Sequence, residues 1–249
     1  MIIDRPTSTE PLRLLWKQAF GDSDSYLDTF FRIGYSPERC FQATLEGKTA
    51  GALYWFDCQF GDGKIAYLYA VATEEAYRGQ GVCRALMEHT HRHLQCLGYS
   101  GAILVPGSES LFRFYEKLGY KTCCSISEIS CSAGIPVALQ EIDSAEYARL
   151  RKALLPAGAV AQEGVLLDFL SSQASFYKGN QVLLCAAVEG DKAFIPELLG
   201  DTKQAPGIVA ALGAREGLFR TPGSHRPFAM YYPLTACREM PAYFAFALD

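Results

Sequence analysis

Two stretches of this sequence combine residue types and spacing that could do chemistry. The first is Arg78-Gly79-Gln80-Gly81-Val82-Cys83. It follows an apolar, aromatic run that ends at Thr73 and opens a long amphipathic segment, so it reads as the turn between a strand and a helix. Glycine at 79 and 81 lets the backbone approach a ligand closely. The first turn of a helix has N–H groups without partners and carries partial positive charge. A phosphate or diphosphate is the natural occupant of such a corner. The same glycines would also serve an ordinary strand-to-helix turn. The loop is neither of two familiar phosphate loops: a Gly-Lys-Ser/Thr ending is absent, and Arg84 stands near where a dinucleotide fingerprint needs its third glycine. The second stretch is Leu111-Phe112-Arg113-Phe114-Tyr115-Glu116-Lys117-Leu118-Gly119-Tyr120. Its aromatic stripe has helical spacing, with Phe112 and Leu118 reading as core.

The elements that must position these residues follow from periodicity and turn signals. Apolar residues at 12, 15, 16, 19 and 20 predict a helix that Gly21 stops, and Asp22 or Ser23 can cap a second helix through Phe31. Strands are expected over 39–45, 50–60 and 65–73, joined by glycine turns at 46–48 and 61–63. A helix over 81–97 closes at Gly98, and a buried strand over 101–105 ends at Pro106-Gly107. Ser108 or Ser110 can cap a helix over 111–118, which Gly119 closes before a strand over 120–127. Strands alternating with helices, with hairpins among the early strands, imply an α/β (α+β) fold: a mixed, partly antiparallel sheet flanked by helices.

The two stretches, in this order and about thirty residues apart, resemble the signatures of the GNAT acetyltransferase superfamily. Its acyl-CoA loop is Arg/Gln-x-x-Gly-x-Gly/Ala after a central strand, and its second motif is aromatic-Tyr-Glu-Lys-x-Gly-Phe/Tyr. The strand Leu68-Tyr69-Ala70-Val71-Ala72-Thr73 matches the family's fourth, and Cys83 is a departure from the preferred Gly or Ala. The resemblance covers roughly residues 1–130. It implies acetyl-CoA as co-substrate. The backbone of Tyr69, Ala70 and Val71 would hold the pantetheine arm as an added strand. The loop from Arg78 through Gly79, Gln80, Gly81, Val82 and Cys83 to Arg84 would hold the diphosphate. Ser108, Ser110 and Phe114 would lie beside the pantetheine or thioester, and Tyr115 would be the general acid. A thiol titrates near 8.5 and a phenol near 10, so a tyrosine O–H can hand over or share its proton with a leaving thiolate. An alkyl amine arrives charged, so a base or water chain is also required. Glu74, Glu75 and Glu128 are candidates, and a carboxylate of the terminal Leu248-Asp249 is a more remote one.

Other features set bounds. His89, His91 and His93 alternate along a helix, which points successive rings to different faces and argues against a shared metal; they read as a polar helix surface. The cysteines are odd in number and lack a Cys-x-x-Cys pair, and the vicinal Cys123-Cys124 is a poor structural bridge, so they read as reduced thiols of a cytoplasmic protein. The net charge of −4 gives no support for nucleic acid or an anionic membrane as partner.

Residues 130–136 read as a linker. Beyond it, helices are expected over 144–155, 165–172 and 207–212, with strands over 181–188, 192–198, 218–221, 228–232 and 243–247. This order echoes the first half, and the turn Ala43-Thr44-Leu45-Glu46-Gly47-Lys48 resembles Ala187-Val188-Glu189-Gly190-Asp191-Lys192. The chain therefore reads as a duplication: residues 1–130 a GNAT catalytic domain, and 131–249 a degenerate GNAT-like domain whose Pro206-Gly207-Ile208-Val209 lacks the glycine pair. The expected activity is acetyl transfer from acetyl-CoA to a primary amine of a small molecule or peptide, by direct attack in a ternary complex without metal. The alternatives are a non-catalytic acyl-CoA sensor or interaction module, and a different acyl donor.

Overall fold

A computed structural model describes residues 1–236 and 239–248. The chain divides into two compact units. One contains Met1–Leu104, Arg113–Lys121 and the stretch from Tyr231 to Glu239; the other contains Val105–Phe112, Thr122–Met230 and the stretch from Met240 onwards.

The first unit begins with β1 (Ile2–Asp4), α1 (Glu10–Phe20), α2 (Asp24–Thr29), β2 (Cys40–Leu45), β3 (Lys48–Phe60), β4 (Gly63–Thr73), α3 (Val82–Cys96) and β5 (Gly101–Leu104). Its strands lie in the order β1-β2-β3-β4-β5. Neighbours are antiparallel except β4 and β5, which are parallel. Gly21 in the left-handed region ends α1, and the Ser23 hydroxyl accepts the Tyr26 N–H at 3.2 Å, which settles the cap of α2. Ion pairs of Arg13 with Asp28 and Lys17 with Asp24, both 2.5 Å, join the two helices.

Strand pleating assigns the faces. Tyr54, Phe56 and Tyr69 meet Trp16 and Phe30 from α1 and the turn after α2, with Trp16–Phe30 centroids 4.6 Å apart and Trp16–Tyr69 5.4 Å, and Tyr67 packs on Phe56 and Tyr69. Trp55, one residue on from Tyr54, faces the other way, towards Phe41 and His93. Helix α3 lies on that second face, packed through Val82, Leu86, Met87, Thr90, His91 and Leu94. Gly51 permits its close approach, because a Cβ there would sit 3.0 Å from a Val82 methyl.

Next come α4 (Glu109–Glu116) and β6 (Lys121–Ser132). The second unit continues with β7 (Leu139–Ile142), α5 (Ser144–Leu154), β8 (Ala161–Gln162), α6 (Val165–Leu170), β9 (Ser175–Gly179), β10 (Val182–Glu189), β11 (Lys192–Gly200), α7 (Ala205–Ala211) and β12 (Glu216–Pro222); β13 (Arg226–Pro233) follows. Its strands lie in the order β6-β12-β11-β10-β9-β7. Read from β7, the senses repeat those of the first unit: three antiparallel pairings, then the parallel pair β11–β12.

Three sequence expectations change here. Residues 130–132 are strand, not linker, since β6 continues to Ser132 opposite Glu216. The stretch 243–247 is no strand: Tyr243 makes one parallel bridge to Ala159, and Gln162 fixes the rest, donating to the Phe246 carbonyl at 2.9 Å and accepting the N–H groups of Ala245 and Phe246. The two Glu-Gly turns are also not equivalent. Glu189-Gly190 joins β10 to β11, whose counterpart is the β3–β4 turn at Gly61, whereas Glu46-Gly47 joins β2 to β3.

Candidate active site

Strand β4 carries the first part of the site. Tyr54 pairs with Tyr69 and Ala52 with Ala72, so Ala70 and Val71 together oppose the single Leu53. This is a β-bulge, and Ala70 takes φ +47° to make it. Pairing of β4 with β5 covers only Ile65–Tyr67 against Gly101–Ile103. From Leu68 to Thr73, β4 therefore has a strand partner on the β3 side alone, among the described residues. Its other edge offers backbone donors and acceptors to an extended ligand.

That open edge leads into the glycine loop. A short 3-10 turn, Glu75–Tyr77, precedes it, and the Gln80 side chain folds back to donate to the Ala76 carbonyl at 3.0 Å. Gly79 and Gly81 take φ +76° and +81°, which β-carbon-bearing residues adopt rarely. Gly81 caps α3 without any side-chain hydrogen bond, and a Cβ at either glycine would meet nothing within 4 Å. The first N–H groups of α3 thus have no capping side chain, and the positive end of a fifteen-residue helix lies behind them. Arg78 and Arg84 are exposed beside them. The residues fit an anionic group such as a diphosphate.

Tyr115 lies in the part of α4 that belongs to the same unit. It is 7% exposed, and burial first, then the neighbouring Cys83, pushes its hydroxyl above the ordinary phenol range. Burial likewise raises the Cys83 thiol to about 11. Both groups therefore stay protonated at neutral pH. Cys83, the departure from the family's Gly or Ala, is close enough to Tyr115 to act on its hydroxyl.

A sequence profile described as an acetyltransferase (GNAT) domain matches residues 6–123. Residues 6–123 thus form a GNAT acetyltransferase domain. Solved structures agree on the fold. A GCN5-related N-acetyltransferase from Anabaena variabilis superposes with TM-score 0.70 at 17% identity, covering 95% of this chain and 73% of its own. Another from Kribbella flavida gives 0.69 at 15%, covering 94% and 72%. Eis1 from Mycobacterium abscessus gives 0.65 at 12%, covering 94% and 74%. No curated protein matches the chain.

Within this GNAT domain the remaining candidates divide. Phe114 packs edge-on against Tyr115, with centroids 5.3 Å apart. Ser108 and Ser110 belong to the other unit, where their hydroxyls lie 2.9 Å apart and Ser108 accepts the Leu111 N–H at 3.4 Å. Of the proposed bases, Glu74 and Glu75 line a cavity of about 230 Å³ with Leu15, Gln18, Ala19, Thr73 and Arg78. Glu128 is committed elsewhere, paired with Arg226 at 2.6 Å and Arg220 at 3.6 Å. Asp249 lies outside the described residues. No cluster of three or more His, Cys, Asp or Glu is placed to hold a metal among the described residues.

The histidines are not a uniform polar surface. His91 is buried, shares a 2.7 Å hydrogen bond with the Tyr120 hydroxyl, and stacks on Tyr232 at 4.2 Å. His89 and His93 lean edge-on against Phe41, and Arg5 donates to His93 at 2.7 Å. Burial first, then Arg92, lowers His91 to about 4. The unfolded chain, whose histidines titrate near 6.5, binds the extra proton first. The contribution is therefore complete above pH 6.5 and is lost as pH falls towards 4, up to about 3 kcal/mol. Urea unfolding at pH 7.5 and pH 5 should show this loss in the wild type and a shallower one in His91→Gln. Equal acid sensitivity in both proteins would remove His91 as the cause.

Proposed function

We propose that this chain is an N-acetyltransferase that moves an acetyl group from acetyl-CoA to a primary amine by direct attack in a ternary complex. One observation carries the reading. The unpaired edge of β4 runs past its bulge directly to an α3 N-terminus with no side-chain cap, all within one unit. Backbone groups of Tyr69, Ala70 and Val71 take the pantetheine arm, and the amides from Gly79 to Arg84 take the diphosphate. The amine nitrogen attacks the thioester carbonyl, the C–S bond breaks, and the departing sulfur meets the Tyr115 proton. The amine's own proton leaves to water or to Glu74 or Glu75, whose carboxylates form no ion pair among the described residues.

The second unit is a degenerate copy of this scaffold in our reading. It repeats the strand senses and also the bulge, since Ile195 and Pro196 together oppose Ala186. Pairing of β11 with β12 likewise stops at Ile195. The turn that follows has no glycine pair, and Pro206 removes a donor from the opening of α7. A cytoplasmic setting accords with the unbridged thiols; no described helix is long and apolar enough to cross a membrane.

Release of free thiol from acetyl-CoA in the presence of a panel of primary amines tests the activity. CoA binding without thiol release for any amine would leave a sensor or interaction module instead. The loop has its own test. Gly81→Val should weaken CoA binding more than about tenfold, measured by calorimetry, because a side chain at φ +81° enters the space left for the diphosphate. Unaltered affinity would remove the loop from the binding site.

A further inference from the structure

The vicinal pair Cys123-Cys124 stands apart from the acyl-transfer reading. The two residues follow Thr122, the first residue of β6 in the second unit. Their sulfurs lie 3.4 Å apart, closer than neighbouring side chains on a regular strand, which point to opposite faces. Each thiol also has a carbonyl partner in a different segment. Cys123 donates to the Ala229 carbonyl of β13 at 3.4 Å, and Cys124 to the Pro241 carbonyl at 3.6 Å. Pro241 heads the C-terminal segment whose Tyr243, Phe244 and Phe246 are all buried. Cys123 is half-buried, whereas Cys124 is 1% exposed.

We propose that Cys123 and Cys124 form a reversible dithiol–disulfide site that responds to peroxide and controls how tightly the C-terminal segment is held. The Cys123 thiolate attacks one peroxide oxygen, the O–O bond breaks, and water departs to leave a sulfenic acid. The Cys124 sulfur then displaces the hydroxyl as a second water, closing the S–S bond. Two thiols have lost two protons and two electrons, and hydrogen peroxide has been reduced to two waters. Consecutive Cα atoms across a trans peptide are about 3.8 Å apart, below the usual span of a disulfide. Such a bond closes against backbone strain and reopens readily to a dithiol reductant, the behaviour of a labile rather than a structural bridge. Closing it removes both S–H donors. Ala229 and Pro241 lose those partners, and the segment headed by Pro241 loses this hydrogen bond to β6.

Stoichiometric hydrogen peroxide applied to the full chain in a Cys131→Ser background tests this. Mass spectrometry should find two hydrogens lost from the peptide holding Cys123 and Cys124. Dithiothreitol should restore them, and neither Cys123→Ser nor Cys124→Ser should show the loss. Amide exchange in the C-terminal segment should quicken on oxidation and recover on reduction. Phenylarsine oxide, which bridges paired thiols, should bind the reduced protein one to one and fail with either serine variant. Conversion of Cys123 to sulfinic acid without an intermediate disulfide would overturn the proposal. So would oxidation that leaves exchange in the C-terminal segment unchanged.

Discussion

Replacing Glu197 by alanine is expected to cost the fold about 3–5 kcal/mol, the penalty for stranding a buried charge. Glu197 has no exposed surface and Arg151 only 2%. The guanidinium binds both carboxylate oxygens, at 2.7 and 2.9 Å, while Tyr147 donates to one at 2.6 Å and Tyr243 to the other at 3.1 Å. Alanine leaves Arg151 charged, dry and without a counter-ion, and takes away the acceptor of two buried hydroxyls. Denaturant titration measures the loss. The pair itself adds far less than breaking it removes. Arg151→Met with Glu197→Leu should therefore recover most of the loss. A cost below about 1 kcal/mol for the single variant would mean that water or a shifted backbone satisfies Arg151. The place is informative as well. Glu197 directly follows the β11 bulge, the position at which β4 in the first unit keeps its edge open. In the second unit the same location holds an ion pair roofed by Tyr243 of the C-terminal segment.

The sequence made the loop and its helix legible because their signals are local. An apolar run, two glycines and an amphipathic repeat lie within thirty residues, and the structure places β4, the turn and α3 accordingly. The bulge left no trace, since Ala70 is not one of the Gly, Asn or Asp residues that usually announce a positive φ. Its conformation is imposed by the pairing on one side and the divergence from β5 on the other. His91 was visible in principle: Met87, His91 and Leu94 share the buried helical face, and only the polarity of the residue type pointed outwards. The segment 243–247 is a short apolar run that reads as a buried strand, and nothing nearby in sequence reveals that Gln162 will satisfy its backbone instead. Glu197 inside Phe-Ile-Pro-Glu-Leu-Leu is equally opaque, because its partner Arg151 is remote in the chain and comes together with it only through the fold.

Tyr115→Phe is expected to lower turnover by about 10²–10³-fold, the range for losing one preorganised donor to developing negative charge, with CoA affinity little changed. The environment of the hydroxyl decides how it acts. Burial and the neighbouring Cys83 raise Tyr115 above its ordinary value, while the conjugate acid of a leaving thiolate titrates near 8.5. Full proton transfer to the thiolate then runs uphill. Donation of a hydrogen bond as the C–S bond breaks does not. The residue should therefore stabilise the departing sulfur more than it protonates it, and turnover should show no alkaline decline from Tyr115 below pH 10. Acetyl esters of more acidic thiols, which need less help to leave, should lose less rate in Tyr115→Phe than acetyl-CoA does. If the penalty is the same for both donors, the tyrosine positions the thioester instead of assisting its departure. If turnover is undiminished, Tyr115 has no part in the chemistry. Cys83→Ala provides the complementary measurement, because removing the half-buried thiol takes away the second cause of the raised value while the β4 edge and both loop glycines remain in place.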